Sequence, residues 1–142
     1  MFDFANFLPY LLNRAGARLA IAWGRDAKPL GATLQEWRVL AALSTQRPQR
    51  MSELAISTTI DRTTLSRLVT RMEESTMVVR GRSEDDGREV QIDLTAYGEQ
   101  LTQRMLPLAT RYETVALDGF SPAEVATFKD MLKRVFTNLD RI

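Results

Sequence analysis

The stretch Asp61-Arg62-Thr63-Thr64-Leu65-Ser66-Arg67-Leu68-Val69-Thr70-Arg71-Met72-Glu73 decides how this chain is read. Leu65, Leu68, Val69 and Met72 recur at three- and four-residue steps, the apolar stripe of an amphipathic helix. Asp61 stands where an N-cap belongs. The other face carries Arg62, Thr63, Ser66, Arg67 and Thr70, and residues 62–72 hold three arginines and no acid. A helix that buries one face and offers such side chains on the other is equipped to enter a major groove. Arginine forks onto guanine, and threonine methyls meet thymine methyls. A plain surface helix with solvated arginines has the same pattern, so the neighbouring segments decide.

Upstream, Thr33-Leu34-Gln35-Glu36 is a capping box that opens a helix through Trp37, Leu40, Ala41 and Leu43. Gln46-Arg47-Pro48-Gln49-Arg50 stops it. Ser52 is placed to cap a short helix over 53–57, with a break at Thr58-Thr59. Downstream the period changes to two. The run Met77 to Arg82 contains Val78 and Val79; Ser83-Glu84-Asp85-Asp86-Gly87-Arg88 is a turn cluster; Val90, Ile92 and Leu94 then alternate with Gln91 and Asp93. That is a β-hairpin. Short helix, tight turn, second helix and hairpin together make the layout of a winged helix-turn-helix.

The flanks are helical. Phe4, Phe7, Leu8, Leu11, Leu12, Ala15, Leu19 and Ala22 form one stripe, with Pro9 early in it and Lys28-Pro29-Leu30-Gly31 as its end. Thr95 opens a long helix with Tyr97, Leu101, Met105, Leu108, Tyr112 and Val115 on one face; Pro107 is expected to kink it. Ser121-Pro122-Ala123-Glu124 starts a last helix striped by Val125, Phe128, Leu132, Val135, Phe136 and Leu139. The expected fold is mainly α: a winged helix-turn-helix with long N- and C-terminal helices and one β-hairpin wing. It forms a single domain over 1–142, with the reading core about 34–95 and the flanking helices about 2–26 and 95–140. The flanks carry more apolar surface than that core can cover. They pack into a helical monomer or pair two copies; pairing is favoured because it doubles the contacts a single winged helix makes.

Composition narrows the chemistry. The 142 residues include 16 Arg and 3 Lys against 18 acids, a net charge of +1, and neither Cys nor His. Disulfides, thiolate nucleophiles, thiol redox sensing, Ser-His-Asp triads and His or Cys metal sites are therefore excluded. Catalysis would be left with carboxylate or lysine chemistry, and Glu84-Asp85-Asp86 at a hairpin tip reads as solvated. The chain is not expected to be an enzyme, and no cofactor or metal is expected. The N-terminus has Asp3 and no basic residue before Leu8, and apolar runs stop at about five residues, so a cytoplasmic location without membrane insertion is expected. A winged-helix module that binds protein instead of DNA is the alternative.

From Leu34 to Thr95 the sequence resembles the multiple antibiotic resistance regulator (MarR) family. The matching words are residues 35–43, residues 51–55, residues 61–73 and, most specific, Asp86-Gly87-Arg88-Glu89-Val90-Gln91-Ile92-Asp93-Leu94-Thr95 with Gly98 three residues later. The resemblance implies a homodimeric, ligand-responsive transcriptional regulator, usually a repressor acting on double-stranded DNA at an inverted repeat. By position it implies that Arg62, Thr63, Thr64, Ser66, Arg67, Thr70 and Arg71 face bases or phosphates and that Arg88 is the minor-groove arginine of the wing. Asp86 would orient Arg88 or another arginine; its plainer reading is a turn aspartate. A small anionic aromatic or phenolic effector is implied, with Tyr10, Arg14, Trp37 and Arg38 as candidate liners. From spacing alone Tyr10 and Trp37 read as core aromatics and Arg14 as solvated or ion-paired. Two positions depart from the family: Thr59 and Thr76 stand where glycine is usual. Since β-branched residues resist positive φ, either the turns differ here or these residues are strained; slightly altered turns are expected.

Overall fold

The helices begin largely where the sequence supplies caps. The computed structural model describes residues 1–85 and 87–142, so the expected role of Asp86 falls outside the described residues. Two compact units emerge, Met1–Leu108 and Ala109–Ile142. The first holds a 3-10 turn at Phe4–Asn6, α1 (Leu8–Ala27), a second 3-10 turn at Lys28–Leu30, α2 (Leu34–Thr45), β1 (Gln49–Arg50), α3 (Met51–Thr58), α4 (Arg62–Glu74), β2 (Val78–Arg82) and β3 (Val90–Leu94). It ends within α5 (Ala96–Ala116); the second unit holds the rest of α5 and α6 (Pro122–Leu139).

At α2 the Thr33 hydroxyl accepts from the Glu36 N–H at 3.2 Å while the Glu36 carboxylate accepts from the Thr33 N–H at 2.8 Å, the full capping box. Asp61 caps α4 by accepting from the Thr64 N–H at 2.9 Å, and Ser121 caps α6 by accepting from the Glu124 N–H at 3.1 Å. Two starts differ from expectation. Helix α1 begins only at Leu8, because Pro9 lacks an N–H and fits the first turn; the preceding residues form the separate 3-10 turn. Ser52 lies inside α3 rather than capping it. The cap residue is Arg50, whose N–H is taken by the Glu53 carboxylate at 2.8 Å. Arg50 is also committed to β1, a two-residue strand within the segment read as a helix stop.

The sheet is antiparallel in the order β1-β3-β2, with Gln49 opposite Ile92 and Arg80 opposite Ile92 on the other side. Its apolar face closes over the helices. Val39, Leu40, Leu43, Leu54, Leu65, Val69, Met72, Val78, Ile92, Leu101 and Met105 are fully buried, so α2, α3, α4, β2, β3 and the start of α5 contribute to one core. Trp23 of α1 joins its edge, stacked on Trp37 with centroids 5.3 Å apart.

The turns at the two ends of α4 correct the expectation of altered geometry. Thr59 has φ 56° and Thr76 has φ 60°, both left-handed. Helix α4 ends in a Schellman motif: the Thr76 N–H bonds the Glu73 carbonyl at 3.0 Å and the Met77 N–H bonds the Met72 carbonyl at 2.8 Å. The motif keeps its shape with threonine in the glycine position, because two satisfied carbonyls and the burial of Met77 outweigh the steric cost of one β-branched residue.

Beyond Thr76 the chain is held by Thr95. The Met77 carbonyl accepts from the Thr95 N–H at 3.2 Å and from the Thr95 hydroxyl at 3.1 Å; the same hydroxyl lies against the Thr76 carbonyl and accepts from the Gly98 N–H at 3.0 Å. Gly98 is buried, and a Cβ there would lie far inside contact distance of the Met77 carbonyl oxygen.

In the second unit α6 follows a turn in which Gly119 has φ 84°. Phe120 and Phe128 pack with centroids 5.9 Å apart, and Lys129 pairs with Glu113. Among the described residues none of α6 is buried; Phe128, Met131, Phe136 and Leu139 stay exposed. Along α1 the residues Leu8, Leu11, Leu12, Leu19 and Ile21 are exposed as well.

Two stability outcomes follow. Replacing Thr59 or Thr76 by glycine should raise unfolding free energy by up to about 1 kcal/mol in urea titrations, since the left-handed penalty of about 1–2 kcal/mol exceeds the entropic cost of glycine. A loss at both positions would show that neither turn is strained. Gly98→Ala should cost more than about 3 kcal/mol, because backbone, not a flexible side chain, occupies the space. A change below about 1 kcal/mol would contradict the close approach.

Candidate nucleic-acid interface

Helix α4 separates its two faces. Leu65, Leu68, Val69 and Met72 are buried, while Arg62, Thr63, Ser66, Arg67, Thr70 and Arg71 are exposed. The three guanidinium groups therefore stand on the outside of a helix fixed from the inside. Thr64 is half-buried and serves the cap. Hydrogen bonds from Thr64, first from its hydroxyl and then from its N–H, hold the Asp61 carboxyl below the usual carboxylate range. The charged cap also complements the positive end of the helix. Thr64 thus contributes to the cap, and the other six residues of the expected reading face are exposed.

The wing is braced at several points. Arg82 donates to the Gly87 carbonyl at 2.9 Å across the hairpin turn. Arg50, at the start of α3, pairs with Glu89 at 2.6 Å. Arg47 lies 3.8 Å from Asp93 and also pairs with Glu99 on α5. These pairs are half-exposed, so each contributes little stability in water. Their effect is to fix the register of the hairpin against α3 and α5. Arg88 lies exposed in the wing turn.

Arg80 was not visible in the sequence as a site residue. From β2 it reaches back to α4: its Nη2 donates to the Thr70 hydroxyl at 2.9 Å and to the Ser66 carbonyl at 3.4 Å, and its N–H bonds the Glu73 carboxylate at 3.1 Å. The contacts join a helix to a strand across seven to fourteen positions, beyond the reach of any local spacing rule.

Among the described residues, Arg14 lines one concavity while Trp37 and Arg38 line another. Arg14 sits over the Tyr10 ring, its guanidinium carbon 5.3 Å from the centroid, and Tyr10 stacks on Phe4 at 4.0 Å. Arg14 lines an open trough of about 680 Å³ along α1 with Leu11, Arg18, Ile21 and Arg25. Trp37 and Arg38 line a different concavity of about 500 Å³, closed by Gln49, Ser57 and Thr58. Trp37 is half-buried against Trp23, in keeping with a core aromatic. Among the described residues no helix is long and apolar enough to cross a membrane, and no cluster of three acidic side chains is placed to hold a metal ion.

Comparison with known proteins places this geometry. The MarR family matches residues 32–90, the span from the N-cap of α2 into the wing. The HTH-type transcriptional repressor IacR of Pseudomonas putida is 29% identical over 96% of this chain and 82% of its own length. Among solved structures, that of Bordetella bronchiseptica BpsR, whose DNA binding is regulated by 6-hydroxynicotinic acid, superposes with TM-score 0.85 at 24% identity, covering 95% of this chain and 96% of that one. The transcriptional repressor CouR bound to a 23-mer DNA duplex superposes with TM-score 0.82 at 25% identity, again covering 95% and 96%. With the helix order, the hairpin wing and the two-faced α4 in place, residues 32–90 match the MarR family, and the chain as a whole is similar to winged helix-turn-helix transcriptional repressors.

Proposed function

We propose that this protein is a homodimeric repressor that reads an inverted repeat in double-stranded DNA and is released by a small anionic aromatic or phenolic ligand. The observation that carries the DNA reading is α4: Arg62, Arg67 and Arg71 exposed over a fully buried apolar face. In this reading α4 enters the major groove, where Thr63, Ser66 and Arg67 meet base edges and Arg62 and Arg71 meet phosphates. Arg88 extends from the wing toward the minor groove, whose negative potential favours arginine. CouR, a relative in fold, binds a DNA duplex, which supports the same use of the fold here.

Pairing is supported by the apolar faces left open on α1 and α6, which carry large side chains at helical spacing. A pair of chains doubles the net charge of +1 to about +2, too little to attract DNA from a distance. Affinity then depends on arginines brought within a few ångströms of the duplex. The effector reading is supported by Arg14 and Arg18 along the α1 trough, which suit a small anion, and by the aromatic acid that regulates BpsR.

Selection of bound duplexes from a random pool should return an inverted repeat with half-sites about one helical turn apart, 34–36 Å. Equal affinity for every duplex would overturn specific reading. Against the selected site, Arg67→Ala should cost about 1–3 kcal/mol at one or two base positions. Arg88→Ala should weaken binding mainly through the flanking base pairs. For the effector, titration with benzoate, 4-hydroxybenzoate and 6-hydroxynicotinate should release the duplex for at least one compound, with Arg14→Ala abolishing the response. No response to any of them would remove the ligand from the proposal and leave the DNA reading standing.

A further inference from the structure

We propose that Arg80 is a positioning residue that locks the wing to the recognition helix, and that Thr70 is its acceptor rather than a reader of bases. The proposal rests on the DNA-reading function above and deepens it. Three groups on one face of α4, four and then three residues apart, hold Arg80: the Ser66 carbonyl, the Thr70 hydroxyl and the Glu73 carboxylate. The guanidinium takes the first two and the main-chain N–H takes the third, so both the strand and its side chain are tied to nearly two turns of helix.

The hydroxyl of Thr70 has one hydrogen, and it is used: it donates to the Ser66 carbonyl at 3.0 Å while accepting from Arg80 at 2.9 Å. Thr70 therefore has no proton to give a base. A neutral acceptor facing a guanidinium makes a charge-assisted bond, stronger than an ordinary hydroxyl contact. The latch also lies where it is needed. Between α4 and β2 the chain is only Ser75, Thr76 and Met77, with Thr76 in a left-handed conformation. The angle between wing and recognition helix fixes the separation of the major-groove side chains from Arg88, and a site read at both places requires that separation to be held within about 0.5 Å.

The test uses the full-length protein and the duplex selected above, with affinity, salt dependence and melting temperature measured together. Thr70→Ser keeps the hydroxyl and loses the methyl; Thr70→Val keeps the methyl and loses the hydroxyl. A positioning acceptor requires Thr70→Ser to bind like the parent and Thr70→Val to bind about tenfold more weakly. The reverse order would assign the methyl to a thymine contact and overturn the proposal. Arg80→Ala should weaken binding about tenfold with the slope of log affinity against log salt unchanged, and the Thr70→Val, Arg80→Ala pair should bind no worse than Arg80→Ala alone. A slope reduced by about one would make Arg80 a phosphate contact, and additive losses would make the residues independent; either overturns the latch. If Arg80→Ala melts below the assay temperature, the two Thr70 variants decide, since they change no charge. Failure of the parent to bind any duplex would remove the DNA-reading function, and the positioning role with it; parent binding with additive effects would remove the positioning role alone.

Discussion

The backbone at Met77 is the point on which the reading unit depends. Its N–H closes the end of α4, its carbonyl receives both donors of Thr95, and the bare Cα of Gly98 lies against that carbonyl. Helix α4, wing strand β2, the end of β3 and the start of α5 therefore meet within one peptide unit. Each contact is modest alone, a hydrogen bond contributing about 1 kcal/mol net. Their convergence anchors the C-terminal end of the helix at the start of the wing. The buried stripe of Leu65, Leu68, Val69 and Met72 sets which face points inward, and the Met77 junction sets where the helix stops and the wing begins.

Much of this was legible beforehand because local chemistry and global fold agree. Thr33, Asp61 and Ser121 announce helix starts, and each is a cap in the structure. The alternation of Val90, Ile92 and Leu94 announces the wing; Gly98 after Thr95 was part of the family resemblance, and only the fold shows the close approach it permits. What was hidden needs a partner from elsewhere in the chain. Strand β1 is two residues long and exists only because β3 offers an edge. Arg50 caps α3 without a capping side chain, since Glu53 reaches back for its N–H. Thr59 and Thr76 misled in the other direction. Their side chains argue against left-handed turns, yet the hydrogen bonds and burial around the turn at Thr76 over-determine its geometry. Arg80 looked like one more residue of a strand, and only the fold brings it to Thr70.

Charge is organised by distance rather than by total. A chain with 19 basic and 18 acidic side chains has almost no long-range field, but its carboxylates are not idle counterweights. Asp61 caps α4, Glu73 holds the β2 backbone, and Glu89, Asp93 and Glu99 pair with Arg50 and Arg47. These acids engage the cap, the wing backbone and the arginines of the frame, leaving Arg62, Arg67 and Arg71 on a face without a carboxylate from residue 62 to residue 72. With neither cysteine nor histidine in the chain, thiol redox chemistry and histidine or thiolate zinc ligation are not open to it.

The strand order has a consequence for how copies of the protein can meet. With β3 in the middle, β2 is an outer strand, and at its midpoint the Arg80 N–H points away from the sheet. An open row of such groups is a template on which foreign strands polymerise. Here the Glu73 carboxylate occupies that midpoint and helix α4 runs alongside it. The wing thus carries its own guard against runaway cross-strand association.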